Sequence, residues 1–96
     1  MTIKVILLRK VPVEKEAELR PLLVKLRALC MEENPGYVGG ETLLNADDPT
    51  EVLVISTWSD IHAWNKWVSS EKRAELQNQV DELLGTETQY QVYYHA

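Results

Sequence analysis

The sequence predicts an α+β fold: a four-stranded antiparallel sheet in ferredoxin-like, split β-α-β order, with every helix on one face. Three observations carry this. Stretches with a period of two alternate with stretches of helical period, in the order β-α-β-β-α-α-β. Two crossovers flank a central hairpin, and the handedness of parallel crossovers leaves little other topology. Strands one and three carry apolar side chains on both faces, so the face turned away from the helices must meet something apolar. A second copy of the chain, sheet against sheet, is the economical cover, and a two-fold homodimer is predicted.

The first strand is Ile3 to Arg9, with Ile3, Val5 and Leu7 on one face and Ile6 and Leu8 on the other. From Glu14 to Met31 the period turns helical. Leu19, Leu22, Leu23, Leu26, Leu29 and Cys30 form the stripe, and Lys15, Arg20, Lys25 and Arg27 lie largely off it. Pro21 falls inside this pattern without the N–H that would bond back to Ala17, which predicts a kink. The helix should stop at Glu33-Asn34-Pro35-Gly36, with Gly36 taking a turn conformation.

Tyr37 to Leu44 reads as a second strand, in which Gly39-Gly40 suggests a bulge or a close backbone approach. Asn45 to Pro49 is a turn, so this strand and Val52 to Trp58 form an antiparallel hairpin. Ser59 or Asp60 caps a short helix that sets Ile61, Trp64 and Val68 on one face and Trp67 at its margin. Ser69 or Ser70 caps the next helix, whose apolar residues are Leu76, Val80, Leu83 and Leu84, and Gly85 ends it. Thr86 to Tyr94 alternates as the last strand.

Composition narrows the function. A chain of 96 residues, 45% hydrophobic and 26% charged, makes one globular domain, residues 1–96. Its formal charge of −5 supplies no basic patch, which argues against nucleic acid and anionic membrane as partners. Cys30 is the only cysteine, so no intrachain disulfide forms, and the four-ligand spacing of a structural zinc site is absent. The opening run I-K-V-I-L-L is too short to span a membrane and lacks the flanks of a signal peptide. A reducing cytoplasm is the expected location.

The segment Trp58 to Arg73 holds all three tryptophans. Trp58 and Trp64 read as core. Trp67, at the margin of a buried stripe, is divided between core and a pocket wall with its indole N–H offered to a ligand. Arg73, one turn before Leu76 and Gln77, either points a guanidinium into the helix–sheet cavity toward a carboxylate or phenolate, or pairs at the surface with Glu71 or Glu75. His62 has the pKa range of a base, but it lies off the apolar face and reads as solvated. His95 is penultimate and set aside. Cys30, on an apolar stripe, reads as an inert thiol. Tyr37 and Tyr90 read as core or dimer contacts.

Several motifs then point one way. P-G-Y-V-G-G-E from Pro35, D-P at Asp48, V-I-S-T-W ending at Trp58, A-W-N-K-W-V-S-S from Ala63, and L-L-G-T-E-T-Q-Y-Q-V-Y from Leu83 together resemble the antibiotic biosynthesis monooxygenase (ABM) domain. The resemblance covers nearly the whole chain. It implies a dimeric α+β barrel of two ferredoxin-like protomers and, as activities, cofactor-independent oxygenation of aromatic polyketides or oxidative breakdown of haem. Trp67 stands where haem-degrading members have a tryptophan. Gln77 stands where those members have the ligating histidine, and the run around Leu7 where they have an asparagine, so haem degradation is disfavoured. The S-x-H of many members reads Ser70-Glu71-Lys72.

The implied function is therefore a cofactor-free monooxygenase acting on a small aromatic, quinol- or anthrone-like substrate. The alternative is a non-catalytic module that binds a small molecule with the same dimeric fold. Trp67, Asn65, Arg73, Gln77, Tyr37 and Tyr90 are the candidate donors to such a ligand, and no catalytic base is assigned.

Overall fold

The computed structural model describes all 96 residues. Strands form where β-branched and aromatic residues alternate: β1 (Ile3–Lys10), β2 (Tyr37–Leu44), β3 (Glu51–Trp58) and β4 (Tyr90–Tyr94). They build one sheet in the order β2-β3-β1-β4, with every neighbouring pair antiparallel. This is the predicted split β-α-β arrangement.

The register sorts side chains between the two faces. Ile3 lies opposite Trp58, Val5 opposite Ser56, Leu7 opposite Val54 and Arg9 opposite Val52. Tyr37 joins this inner face beside Trp58, and Tyr90 joins it beside Leu7. Ile3, Val5 and Trp58 are fully buried there. Tyr37, Trp58, Trp64 and Tyr90 run edge to face across the core, with ring centroids 5.3, 5.4 and 5.2 Å apart in turn. The outer face pairs Ile6 with Ile55 and Leu8 with Leu53, and sets Leu43 beside Leu53.

A short 3-10 turn, Val13–Lys15, precedes helix α1 (Glu16–Glu33). Lys15 donates from Nζ to the Leu83 carbonyl at 2.8 Å, which ties this turn to the far end of the second crossover. Pro21 lies inside α1, and the helix continues on both sides of it. Only the bond to the Ala17 carbonyl is forgone. Leu19, Leu26 and Cys30 are buried along the predicted stripe, with Leu22, Leu23 and Leu29 packed beside them. Asn34 stops the helix: both its backbone N–H and its Nδ2 donate to the Cys30 carbonyl, each at 3.1 Å. Gly36 does not adopt a left-handed turn, which only Gly85 does. Its role is close approach, since a Cβ there would lie 2.4 Å from Ala63 Cβ.

In β2 the register slips between Tyr37 and Gly39, so the expected bulge is present with Val38 as the extra residue. Asn45 Oδ1 folds the hairpin turn by accepting from the Asp47 and Asp48 N–H groups. Hydrogen bonds from Lys10 and Thr50 hold the Asp48 carboxyl down to about 2.

Helix α2 (Ile61–Val68) starts at Asp60, whose Oδ1 accepts from the Ala63 N–H at 2.8 Å. Its buried stripe differs from the predicted one. Ile61, Trp64 and Trp67 face inward, whereas Val68, in the last turn, is 39% exposed. Trp67 thus takes the place assigned to Val68, because the larger ring gains more by burial. Helix α3 (Glu71–Leu84) is capped by Ser70, and Gly85 ends it in the left-handed conformation at φ 69°.

The last strand begins at Tyr90, four residues later than predicted. The cause is Asp81, which accepts from both the N–H and the hydroxyl of Thr88. Residues 86–89 are thereby held on the end of α3, and pairing with β1 starts only at Tyr90 opposite Leu7.

Candidate functional site

Between the inner face of the sheet and the helices lies a cavity of about 860 Å³. It exists because α1 packs chiefly on α3, so the inner face of β2 and the far end of β3 are left partly uncovered. Its floor is Val5, Leu7 and Arg9 of β1, Val52 and Val54 of β3, and Thr42 and Leu44 of β2. Leu19, Leu23, Leu26 and Cys30 of α1 form one wall. Trp58, Trp64, Trp67, Arg73, Gln77 and Tyr90 close one end. The other end opens to solvent between exposed residues, including Glu16, Arg20, Arg27 and Glu41.

The three tryptophans serve different purposes at the closed end. Trp58 Nε1 donates to Ser56 Oγ at 3.0 Å, so its polar edge is satisfied. Trp64 and Trp67 are buried and line the cavity, and the indole N–H of each takes no acceptor from the protein. Trp67 resolves the choice left open by its spacing by being both things at once: core by burial, wall by position.

Arg73 is only 7% exposed and forms no ion pair. The surface pairing with Glu71 or Glu75 is therefore not made. Its guanidinium donates to the Tyr90 hydroxyl and, at 3.3 Å, to the Val68 carbonyl at the end of α2. The charge lies 5.3 Å from the centre of the Tyr90 ring and 6.0 Å from that of Trp67, within reach of cation–π attraction. The Tyr90 hydroxyl in turn donates a hydrogen bond to Gln77 Oε1 at 3.0 Å. Gln77 Nε2 donates to Asp81 Oδ1 and to Thr88 Oγ1, both at 2.9 Å. Arg73, Tyr90, Gln77 and Asp81 thus form one directional chain that fixes the wall of the cavity.

Of the six candidate residues, five line the cavity: Trp67, Arg73, Gln77, Tyr37 and Tyr90. Asn65 does not. It lies on the exposed face of α2, one position on from Trp64 and so turned about 100° away from it. His62 is exposed on the same helix, as its position off the stripe predicts. Cys30 faces the cavity, but burial raises its thiol to about 11, which disfavours the reactive thiolate.

A charged residue of the cavity floor was not among the candidates. Arg9 follows Ile3, Val5 and Leu7 on the inner face of β1, and its Nε is buried without a partner. Burial pushes its pKa below the ordinary arginine value, a shift that Tyr90 and Asp81 oppose and Arg73 reinforces. The signal was present in the sequence as a charge that continues an alternating apolar face.

A family model described as antibiotic biosynthesis monooxygenase matches residues 1–87. The chain belongs to the ABM family. A conserved protein from Methanosarcina mazei Go1 superimposes with a TM-score of 0.86 at 20% identity, covering 100% of this chain and 94% of that one. Rv0793 from Mycobacterium tuberculosis gives 0.81 at 19% identity, covering 100% and 96%. The N63A mutant of SnoaB, a cofactor-independent oxygenase from Streptomyces nogalater, gives 0.80 at 15% identity, covering 98% and 92%. At these identities the likeness establishes the shared fold. No curated protein matches the sequence.

Within this ABM domain the haem expectation can be set against the lining residues. No imidazole lines the cavity, and the polar atoms of Gln77 are already engaged by Tyr90, Asp81 and Thr88. Nor do three His, Cys, Asp or Glu side chains cluster anywhere in the fold. The residues present do not fit haem iron. No helix is long and apolar enough to cross a membrane.

Proposed function

We propose that this ABM protein oxygenates a small aromatic, quinol- or anthrone-like substrate, without a cofactor, in the cavity closed by Trp67. The observation that carries the reading is the closed end itself. Flat indole walls there meet a cluster of hydrogen-bond donors, Trp64, Trp67 and Arg73, in a pocket screened from water on three sides. Family membership supports the reaction class.

The chemistry asks little of the protein. The substrate loses a proton and its anion reduces O2 by one electron. The resulting radical pair joins through a new C–O bond to a peroxide, which takes up a proton. Loss of water from that hydroperoxide leaves one oxygen atom in a carbonyl and the other in the water. Donors aimed at the anion lower the substrate's own pKa, and exclusion of water strengthens them. Such a site works by stabilising charge where a dedicated base is absent. Oxygen uptake with a panel of anthrones and hydroquinones tests this. Wild type should consume oxygen, and Trp67→Phe, which removes one donor, should be slower by about tenfold or more. Uptake no faster than in buffer for every substrate would exclude the oxygenase.

One observation favours a second reading. Neither histidine nor aspartate lines the cavity, and both lining glutamates stand at its mouth. A module that binds the same aromatic ligand without turning it over would bind the panel and consume no oxygen.

A second copy of the chain is proposed to cover the outer sheet face, where Leu8 is 53% and Leu43 is 43% exposed. The lone reduced cysteine supports a cytoplasmic location.

A further inference from the structure

The cavity holds more positive charge than the protein balances. Four ion pairs form in the molecule, and they use Lys10, Arg20 and Lys72 as cations. Arg9 and Arg73 take part in none, although Arg73 is buried and Arg9 has a sealed, unpartnered Nε. Asp81, behind the wall, accepts from Gln77 and Thr88 and pairs with neither arginine. Across the whole lining there are four arginines and two glutamates, with no lysine and no aspartate. This occurs in a chain whose formal charge is −5. Positive charge has been collected in the cavity of an acidic protein.

Two guanidiniums facing a cavity are tolerable while water fills it. A ligand that expels the water must return a counter-charge, or leave both cations desolvated and unpaired. We infer that the ligand of this cavity is an acid, a small aromatic carboxylate whose charged group docks between Arg9 and Arg73. The inference rests on the cavity being a ligand site, and goes beyond that reading by naming the ligand's charge. The planar pair of oxygens of a carboxylate matches the end of a guanidinium, where the two terminal N–H groups of Arg9 make a two-pronged contact. The rings of Tyr90 and Trp67 lie against the Arg73 guanidinium and hold it in place to receive the second oxygen. The aromatic body of the ligand then extends over Leu7 and Val54 toward the mouth.

The test compares two ligands of one shape, anthraquinone-2-carboxylate and anthraquinone-2-carboxamide, by calorimetric titration of the intact protein. The acid should bind wild type at least tenfold more tightly than the amide. Arg9→Gln should reduce that preference to less than threefold, and Arg9→Lys, which keeps the charge, should retain most of it. Where circular dichroism shows Arg9→Gln unfolded, Arg73→Gln carries the same comparison. Equal binding of acid and amide to wild type would overturn the inference and leave the cavity a ligand site. An undiminished preference in a folded Arg9→Gln would overturn it as well. Failure of both compounds to bind would overturn the ligand-site reading, and the inference with it.

Discussion

Arg9 shows what a single buried donor without a partner costs. Its Nε is buried with no acceptor, and burial is the main cause of its lowered pKa. An unsatisfied buried donor costs about 1–3 kcal/mol, so the protein carries a local instability at this position. Arg9→Met keeps the length of the side chain over the floor of the cavity and removes the orphaned donor. The variant should be as stable as wild type or more stable, by about 1 kcal/mol, in urea unfolding monitored by tryptophan fluorescence. A loss of more than about 1 kcal/mol would mean that the guanidinium supports the fold, contrary to its lack of partners. Arg9 also marks the limit of what could be read at this scale. Arg73 was legible as a choice between cavity and surface, since its place one turn before Gln77 allows both. Arg9 was legible as a charge continuing the alternating face of β1, but nothing local shows that this face runs on past the helices to the floor of a cavity. Asn65 was misplaced for a related reason: a side chain flanked by Trp64 and Trp67 in sequence is turned away from both by the helical rotation.

At the scale of elements, the caps and turns were plain in the sequence because their signals are local. Asp60, Ser70 and Gly85 bound their helices as their chemistry requires. The start of β4 was not plain, because the Asp81–Thr88 bonds that delay it join residues on two different elements. Gly36 is a similar case, with its role set by a distant partner and not by its own backbone. It sits where the turn after α1 meets α2, and its carbonyl accepts from the Ser59 N–H at 2.7 Å. A Cβ there would come within 2.8 Å of Ser59 Oγ as well as meeting Ala63. Ser59 can rotate away, but Ala63 Cβ has nowhere to go without moving α2. Gly36→Ala should therefore destabilise the protein by about 1–3 kcal/mol, read from the urea midpoint at unchanged m-value. Because α2 carries Trp64 and Trp67, the same variant should bind an aromatic ligand more weakly even at temperatures where it remains folded. Stability within about 0.5 kcal/mol of wild type would show that the turn yields easily and does not set the position of α2.

For the whole molecule, the surface left in contact with water argues for a second copy. A compact monomer of 11.0 kDa is expected to expose about 5,600 Å², and this chain exposes 6414 Å². The excess, roughly 800 Å², is about what one partner of an ordinary stable interface buries. The outer face also has the composition of an interface. Ile6, Leu8, Leu43, Leu53 and Ile55 lie together in the register. Polar groups stand around them: Lys4 bonds to Thr57, and Lys10 to Asp48 and Glu51. Ion pairs at such a rim contribute little energy but discourage other pairings, so the apolar centre must supply the association. Leu53 lies in that centre, between Leu8 and Leu43, and Leu53→Glu would bring two like charges into it across a two-fold axis. Sedimentation at tens of micromolar should give wild type at twice the chain mass and Leu53→Glu at the mass of one chain. Leu53 is on the opposite face of the sheet from the cavity, so the monomeric variant should still bind an aromatic acid if one chain builds the whole site. Loss of binding in a folded, monomeric Leu53→Glu would instead mean that the dimer shapes the cavity. A wild type that sediments as a monomer would leave the apolar outer face without its proposed cover.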